Sequence, residues 1–525
     1  MLTPATTGRY ARGLALLLCA AAAPNSAGAQ PFPTLVELID LRADNGNDGS
    51  RGVALRGITL GDTAGWSASG AGDINGDGID DVIIGSLTSD RDGFTQSGEA
   101  YAVFGRSVWA PEQPLALLDG RNGFAMRSTS SGADLGEALA MLGDFNGDGL
   151  DDFAVTASGQ DSSNGRVYVV FGRAQGFPSV LDLSALDGSD GFVFLPPAGS
   201  LGARLGRAVA AAGDFNGDGL ADIVMTARAV PSQGGGAHGE AFLVFGSDQG
   251  STPTFALDTL DGRNGVRLRG AQGGFGSGAQ VSGGADLNND GFDDIIVSAN
   301  LGGAARTQAA HVVYGTDRAL PRRIVLATLQ PPTGFVFTDC VDGPLPCDPS
   351  TGNAVGSGDF NGDGIADAII ADSLQGEAFV LYGPLPDAQS PFNAADIDGQ
   401  NGFVLITPDP TQGNTISAGD INGDGIEDIA VSTPGATGIE EFEIGAGRIY
   451  VLYGRSEGFP RIVPTTALNG RNGFTLVGED ISSAGQGLGA AGDVNGDGVT
   501  DLIVGAPFVG IEGEAYIVFG RRPRP

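Results

Sequence analysis

The stretch Asp73-Ile74-Asn75-Gly76-Asp77-Gly78-Ile79-Asp80-Asp81 returns in similar form seven times along the 525-residue chain. The shared pattern is Asp, any residue, Asn, Gly or Asn, Asp, Gly, a hydrophobic residue, any residue and Asp. Side-chain oxygens stand at its first, third, fifth and ninth positions, and Gly stands at the sixth, where the backbone must turn sharply around a bound ion. The spacing therefore predicts a hard-cation site in each copy. The copies begin at Asp73, Asp144, Asp214, Asp286, Asp359, Asp420 and Asp493.

Calcium is the ion that these loops predict. Ca²⁺ takes about six to eight oxygen ligands, whereas softer metals favour nitrogen or sulfur. No His or Cys lies in any copy. The position-seven carbonyl and waters would complete each shell, so up to seven ions are expected, one per repeat. The predicted ligands are Asp73, Asn75, Asp77, Ile79, Asp81, Asp144, Asn146, Asp148, Leu150, Asp152, Asp214, Asn216, Asp218, Leu220, Asp222, Asp286, Asn288, Asp290, Phe292, Asp294, Asp359, Asn361, Asp363, Ile365, Asp367, Asp420, Asn422, Asp424, Ile426, Asp428, Asp493, Asn495, Asp497, Val499 and Asp501.

Two other structures could carry part of this pattern. An EF-hand shares its opening half, but that loop needs a bidentate Glu at its twelfth position between two helices. The twelfth residue of the first copy is Ile84. An Asx-rich turn that binds nothing is the alternative for any single copy. Each copy is followed by a short apolar run, such as residues 81–84, which is typical of a buried β-strand, so the loops are predicted to join strands.

The first 29 residues have the composition of a secretory signal peptide. Arg9 and Arg12 precede an apolar segment at 14–23 that is too short to span a bilayer, and small residues at 27–29 provide a cleavage site. Cys19 lacks the small preceding residue of a lipoprotein signal, so a lipid anchor is the weaker interpretation. The protein is expected to be exported, whether periplasmic, secreted or at the cell surface, with no later membrane span.

The chain carries a formal net charge of −35 at pH 7. Nucleic acids and anionic membranes bind basic patches, so this charge argues against both as partners. Part of the charge lies in the loops, and seven Ca²⁺ ions would bring it to about −21. Cys340 and Cys347 are the cysteines that remain after signal cleavage, and in an exported protein they are predicted to form a small disulfide.

The spacing of the loops predicts the architecture. Successive copies begin 71, 70, 72, 73, 61 and 73 residues apart, which is compatible with one four-stranded sheet per repeat. Each repeat has an inner strand of small residues such as 208–213, the metal loop, a second strand, a third strand followed by Gly, and a fourth strand after a Gly/Asn turn such as 119–123. Radial closure then predicts an all-β fold, a seven-bladed β-propeller of four-stranded antiparallel blades.

The two ends of the chain predict how the ring closes. The last repeat stops after its third strand, and a spare turn and strand at 44–55 precede the first inner strand. The N-terminal strand is therefore expected to complete the C-terminal blade and to protect its edge.

These residues resemble the FG-GAP repeats of the integrin α-subunit headpiece, over roughly residues 36–522. Phe-Gly pairs end at Gly105, Gly172, Gly246 and Gly520, and Gly505-Ala506-Pro507 matches the second half of the repeat name. Tyr replaces Phe before Gly315, Gly383 and Gly454. The resemblance implies a seven-bladed propeller. Integrins usually carry calcium loops in only some blades, whereas every repeat here has one, and integrin-style signalling is not expected.

The variable loops on the face opposite the metal loops are the predicted binding surface. Rigid scaffolds commonly carry binding residues on such loops, and Phe94 and Phe442 are the candidate exposed aromatics. The first hypothesis is a non-catalytic, calcium-stabilised binding or cell-adhesion module with a protein or glycan ligand. A glycan-binding lectin is an alternative, although no aromatic recurs at equivalent loop positions.

A propeller-bearing hydrolase is the other alternative, since the resemblance extends to some hydrolases that carry these repeats. The only histidines are His238 and His311, and no Ser-His-Asp arrangement is evident. Paired acids at Asp80-Asp81, Asp151-Asp152 and Asp293-Asp294 are better explained as a metal ligand beside a solvated neighbour. The protein is therefore predicted not to be an enzyme.

Overall fold

The computed structural model has thirty-five β-strands in seven sheets among the residues it describes. The described residues are 32–91, 93–231, 237–270, 280–300, 308–338, 351–372, 375–385, 391–409, 413, 415–439 and 445–523. In chain order the strands are β1 Leu35–Glu37, β2 Gly52–Arg56, β3 Ala64–Gly72, β4 Asp81–Ser86, β5 Glu99–Val103, β6 Glu112–Pro114, β7 Gly123–Arg127, β8 Leu135–Gly143, β9 Asp152–Ala157, β10 Arg166–Val170, β11 Val180–Asp182, β12 Gly191–Leu195, β13 Val209–Gly213, β14 Asp222–Pro231, β15 Ala237–Val244, β16 Thr254–Ala256, β17 Gly265–Arg269, β18 Val281–Ala285, β19 Asp294–Asn300, β20 Gln308–Val313, β21 Arg323–Val325, β22 Gly334–Thr338, β23 Thr351–Gly358, β24 Asp367–Asp372, β25 Glu377–Leu381, β26 Phe392–Asn393, β27 Gly402–Ile406, β28 Thr415–Gly419, β29 Asp428–Thr433, β30 Arg448–Leu452, β31 Ile462–Pro464, β32 Gly473–Val477, β33 Leu488–Gly492, β34 Asp501–Ala506 and β35 Glu514–Val518. Short 3-10 helices lie at Leu38–Leu41, Ala43–Asn45, Leu115–Leu117, Leu183–Ala185, Leu257–Thr259, Leu326–Thr328, Ala394–Asp396 and Thr465–Ala467, and a single helical turn lies at Gln160–Ser163.

Each sheet is one blade of a propeller. Four antiparallel strands run outward from the axis in chain order, as β3, β4, β5 and β7 do in the first blade. The seven innermost strands contact one another in a closed ring, in which β33 of the seventh blade touches β3 of the first. The predicted all-β, seven-bladed propeller is confirmed.

The prediction of four strands per blade is wrong, because every blade has five. The fifth strand has two or three residues and pairs in parallel with the fourth, as β11 does with β7. It comes from the connection that leads into the fourth strand of the next blade, so it links neighbouring blades. Such a short strand cannot show an alternating apolar pattern, which is why sequence periodicity did not reveal it.

The N-terminal segment is shared by the sixth and seventh blades. β2 lies antiparallel to β35, from Gly52 opposite Val518 to Arg56 opposite Glu514. β1 lies parallel to β32 and forms the outermost strand of the sixth blade. Ahead of it, Phe32 is buried and stacks on Phe474 with ring centroids 4.1 Å apart.

The apolar core lies between adjacent blades. Successive side chains of a strand point to opposite faces of its sheet. In β5, Tyr101 and Val103 pack into the cluster shared with the seventh blade, whereas Ala100 and Ala102 pack into the cluster shared with the second. The third strands are therefore apolar on both faces, and the blades are held together by burial of these side chains.

Candidate metal centres

The seven predicted metal loops lie at one face of the propeller, each between the first and second strands of its blade. The ninth-position Asp is the first residue of the second strand, and it is 0–1% exposed in all seven blades. The fifth-position Asp is exposed in every copy, and the first-position Asp is half-buried. Each loop therefore leads from solvent to a buried carboxylate.

The first-position carboxylate accepts hydrogen bonds from its own loop. Oδ2 of Asp73 accepts from the N–H of Gly78 at 2.7 Å, and Oδ1 accepts from that of Asp77 at 3.1 Å. The bond from the sixth-position Gly recurs in all seven copies at 2.7–2.9 Å. The φ of Gly78 is 87°, in the left-handed region that favours Gly, which explains the residue at this position.

The ninth-position carboxylate joins the loop to the end of the third strand. Asp81 accepts from Ile74 N–H at 3.1 Å and from Gly105 N–H at 2.9 Å. The hydrogen bond from the backbone N–H of the second-position residue to the ninth-position Asp recurs in all seven blades at 2.9–3.2 Å. The bond from the Gly after the third strand recurs at 2.8–2.9 Å. The Phe-Gly or Tyr-Gly pair thus supplies a backbone donor to the buried carboxylate, a role that sequence reasoning missed.

Steric constraints also require Gly after the third strand. A Cβ built on Gly105 would lie 2.2 Å from the carbonyl oxygen of Asp80, and the equivalent carbonyl lies at 2.2–2.6 Å in all seven blades. We expect Gly105→Ala to destabilise the protein by about 2–3 kcal/mol, because backbone must shift to admit the methyl group. Gly199→Ala is the control, since Gly199 has a φ of 79° and open space around its Cβ. It should cost only about 1 kcal/mol of backbone strain. Equal losses in urea unfolding would contradict the steric role.

Burial raises the pKa of the ninth-position carboxyl groups. Desolvation brings the pKa of Asp81 to about 8; the hydrogen bond from Gly105 opposes this, and the carboxylates of Asp77 and Asp73 add to it. A nearby divalent cation would favour the ionised form and offset this cost. The same burial raises the pKa to about 8 in Asp152, Asp222, Asp294, Asp367 and Asp501, and raises it in Asp428.

In calcium-free buffer, the stability of the protein should fall as the pH rises from about 5 to about 8. The folded state keeps protons on carboxyls such as Asp81 over a range in which unfolded carboxyls have lost them, so the free energy of unfolding decreases with pH. A calcium ion bound in the loop would compete for the ionised form, so saturating calcium should remove this slope. Urea unfolding across this range, with and without calcium, measures the effect. A stability that rises with pH in chelator would contradict the assignment.

The donor set of each loop suits a hard cation. Its side chains offer oxygen atoms, and no salt bridge among the described residues involves the first-, fifth- or ninth-position carboxylates. The side-chain amide of the third-position Asn donates a hydrogen bond to a carboxylate of its own loop. Asn75 donates to Asp81 at 3.1 Å, and Asn146 donates to Asp148 at 3.0 Å. Within the described ranges, no three His, Cys, Asp or Glu side chains are gathered closely enough to hold an ion. The structure therefore places the predicted ligands along one short loop without drawing them into a closed cage.

Each metal loop is tied to the next blade. The backbone N–H of Arg106 donates to the second-position carbonyl of Val494 in the seventh blade at 2.9 Å. Six blades make this bond through the residue after the third-strand Gly, at 2.8–3.1 Å, and the fifth blade makes it through Leu385 at 2.8 Å. Loosening of one loop should therefore disturb the contact with its neighbour.

The eighth-position acids strengthen the same junctions. Asp80, Asp151 and Asp293 accept from the N–H of the first-position Asp in the preceding blade at 2.7–2.8 Å. They are half-buried, and burial raises the pKa of Asp80 and Asp293. The prediction that these acids are merely solvated neighbours is wrong, because each bridges two blades.

The histidine and aromatic candidates outside the metal loops are at least partly buried. His311 is buried in a third strand, where burial lowers its pKa to about 4. Phe94 is half-buried. The predicted signal peptide at 1–29, Cys340, Cys347 and Phe442 lie outside the described residues. No described helix has the length and apolar character to cross a membrane.

Comparison with known proteins identifies a repeat in this chain. The FG-GAP repeat matches this chain at residues 64–103, 135–170, 205–239, 277–314, 412–452 and 484–518. These matches fall on six blades, and the fifth blade, whose loop begins at Asp359, lies outside them.

Similar proteins include integrins and a phospholipase. Phosphatidylinositol-glycan-specific phospholipase D of Rattus norvegicus is 36% identical over 174 residues, which is 32% of this chain and 19% of that protein. Integrin alpha-4 of Xenopus laevis is 30% identical over 173 residues, 32% of this chain and 14% of the integrin. Integrin alpha-PS2 of Drosophila melanogaster is 29% identical over 189 residues, which is 35% of this chain and 12% of the integrin. The matches thus span less than a fifth of the length of each relative. The chain therefore carries FG-GAP repeats in six blades of a seven-bladed propeller, and it is similar in sequence to integrin α subunits.

Proposed function

We propose that this protein is an exported, non-catalytic binding or cell-adhesion module whose propeller is stabilised by calcium. The observation that carries the proposal is the sevenfold repetition of a buried ninth-position carboxylate at the end of a loop of oxygen donors. Each of these seven carboxyl groups is costly to ionise in its buried position, and one cation per loop would offset that cost.

Calcium would act on structure rather than on a reaction. It would be held in each blade by the side chains at positions one, three, five and nine and by the seventh-position carbonyl. It supplies positive charge beside carboxylates that otherwise repel one another. Because each loop bonds to the next blade, calcium would stabilise the whole ring.

The ligand is proposed to be a protein or glycan that meets the face opposite the calcium loops. The loops of that face join the second and third strands of a blade and connect successive blades. They vary in length and composition, whereas the metal loops are constant. Export is supported by the composition of residues 1–29.

A hydrolase has less support. Four similar proteins are named as a phospholipase D, but the matches cover 13–19% of their length. His311 is buried among apolar side chains and cannot reach a bound substrate without opening the interface between blades.

Two assays on the full chain test the proposal. In a screen of glycosides, phosphodiesters and esters, we expect no turnover above the buffer rate, with or without calcium, and sustained turnover would contradict the non-catalytic assignment. In a pull-down with cell-surface material, retention should require calcium. Retention that is equal in chelator would contradict a calcium-stabilised binding face.

A further inference from the structure

Four large apolar side chains are exposed together on the face opposite the calcium loops. Leu60 is 69% exposed, Ile481 64%, Phe508 45% and Ile511 58%. They lie in three loops, between β2 and β3, between β32 and β33, and between β34 and β35. We call these four residues the closure patch, since they surround the seventh blade, where the chain ends meet.

Backbone hydrogen bonds join the three loops that carry the closure patch. The N–H of Gly61, next to Leu60, donates to the carbonyl of Ile511 at 2.7 Å. The N–H of Phe508 donates to the carbonyl of Ser482, next to Ile481, at 3.3 Å. The three loops therefore form one surface across the junctions of the sixth, seventh and first blades.

Side chains outside the closure patch anchor these three loops in the core. Their apolar contacts are made by other residues, since Ala64, Ala484 and Val509 are 0–5% exposed and belong to the inter-blade clusters. Ile481 has a φ of 64°, a left-handed conformation that β-branched residues rarely adopt. A contiguous exposed apolar group of this kind commonly marks an interaction surface.

The charged groups around the closure patch that form no salt bridge among the described residues are acidic. Asp480 is exposed and Glu512 is half-buried, and neither forms a salt bridge among the described residues. The arginines that border these loops are already paired. Arg42 pairs with Glu479 and Glu514, Arg56 with Glu112 and Glu514, and Arg91 with Asp62 and Glu99. With a net charge of −35 as well, a second copy of the chain and an anionic membrane would both be repelled. A partner with basic residues would be attracted.

We propose that the closure patch is the docking site for a protein segment that presents apolar side chains flanked by Lys or Arg. The proposal rests on the function proposed above and names both its surface and the class of its partner. The apolar side chains would cover Phe508 and Ile511, and the basic residues would approach Asp480 and Glu512.

A peptide library screened against the calcium-loaded full chain tests this proposal. We expect the selected peptides to combine apolar and basic residues, and their affinity to fall at least about fivefold between low and high salt. Phe508→Ser and Ile511→Ser should each weaken binding of a selected peptide by about tenfold or more. Leu201→Ser and Val108→Ser are the controls, because these residues are 84% and 81% exposed outside the closure patch, and they should leave affinity unchanged.

The outcomes separate this proposal from the proposed function. Peptides that bind equally to the Phe508→Ser and Leu201→Ser variants would overturn the closure patch while leaving the binding module intact. Selection of acidic or neutral peptides, or self-association by ultracentrifugation that Ile511→Ser abolishes, would overturn the partner chemistry. A library that yields no binder to a correctly folded, calcium-loaded chain would also overturn it. Failure of the proposed function would instead appear as calcium-independent melting.

Discussion

Removal of calcium with a chelator is expected to lower the Tm of the folded protein by roughly 10 °C or more. An ion present at one hundred times its Kd stabilises the folded state by about 2.7 kcal/mol, so three occupied loops contribute about 8 kcal/mol. Each buried ninth-position carboxylate would be left with backbone and amide donors alone, as Asp81 is with Ile74, Gly105 and Asn75. Because the loops bond to neighbouring blades, the loss should appear in one cooperative transition.

Differential scanning calorimetry measures this effect. The matched sample contains the same chelator with excess calcium, which separates metal removal from any direct effect of the chelator. Restoring calcium should restore the Tm. An unchanged melting curve in chelator would count strongly against structural calcium.

Asp81→Ala is expected to destabilise the protein by about 2–6 kcal/mol both with and without calcium. The buried N–H groups of Ile74 and Gly105 lose their acceptor, and each unsatisfied buried donor costs about 1–3 kcal/mol. Asp77→Ala is the matched control in the same loop, because Asp77 is exposed. Without calcium, that variant should lose no more than about 0.5 kcal/mol. In calcium it should lose more, since a proposed calcium ligand is removed.

Urea unfolding of both variants in calcium and in chelator separates the two roles. The difference between conditions reports the contribution of metal binding, and the loss in chelator reports the hydrogen bonds. If Asp77→Ala costs the same in both conditions, the fifth position has no metal role. If Asp81→Ala costs less than about 1 kcal/mol in both, the buried carboxylate is not a structural acceptor.

The main features of the fold could be predicted because they repeat. Seven copies of one loop, each followed by an apolar run such as residues 81–84, determine the number of blades and the order of their first strands. The fifth strands could not be predicted, because segments such as Glu112–Pro114 are too short for a periodic pattern and pair with another blade. Their position depends on tertiary contacts rather than on local sequence.

The candidate metal loops were predictable in position, but their surroundings were not. The spacing of oxygen-bearing residues identified Asp81 as a ligand candidate without showing that Gly105 donates to it. The eighth position varies from Asp80 to Ala221, so its bridge to the preceding blade leaves no repeated signal. The closure patch is also invisible in sequence, since Leu60 and Ile511 are close only after the N-terminal strand has joined the seventh blade.

Calcium stabilisation of the propeller is tested most directly by counting the calcium ions bound to the folded chain by equilibrium dialysis at millimolar free calcium. We predict uptake of several ions, up to seven per chain, one for each loop. Loss of one ion in Asp77→Ala would assign uptake to a single loop. Negligible uptake by the folded, unsubstituted protein would contradict the claim that calcium stabilises the propeller.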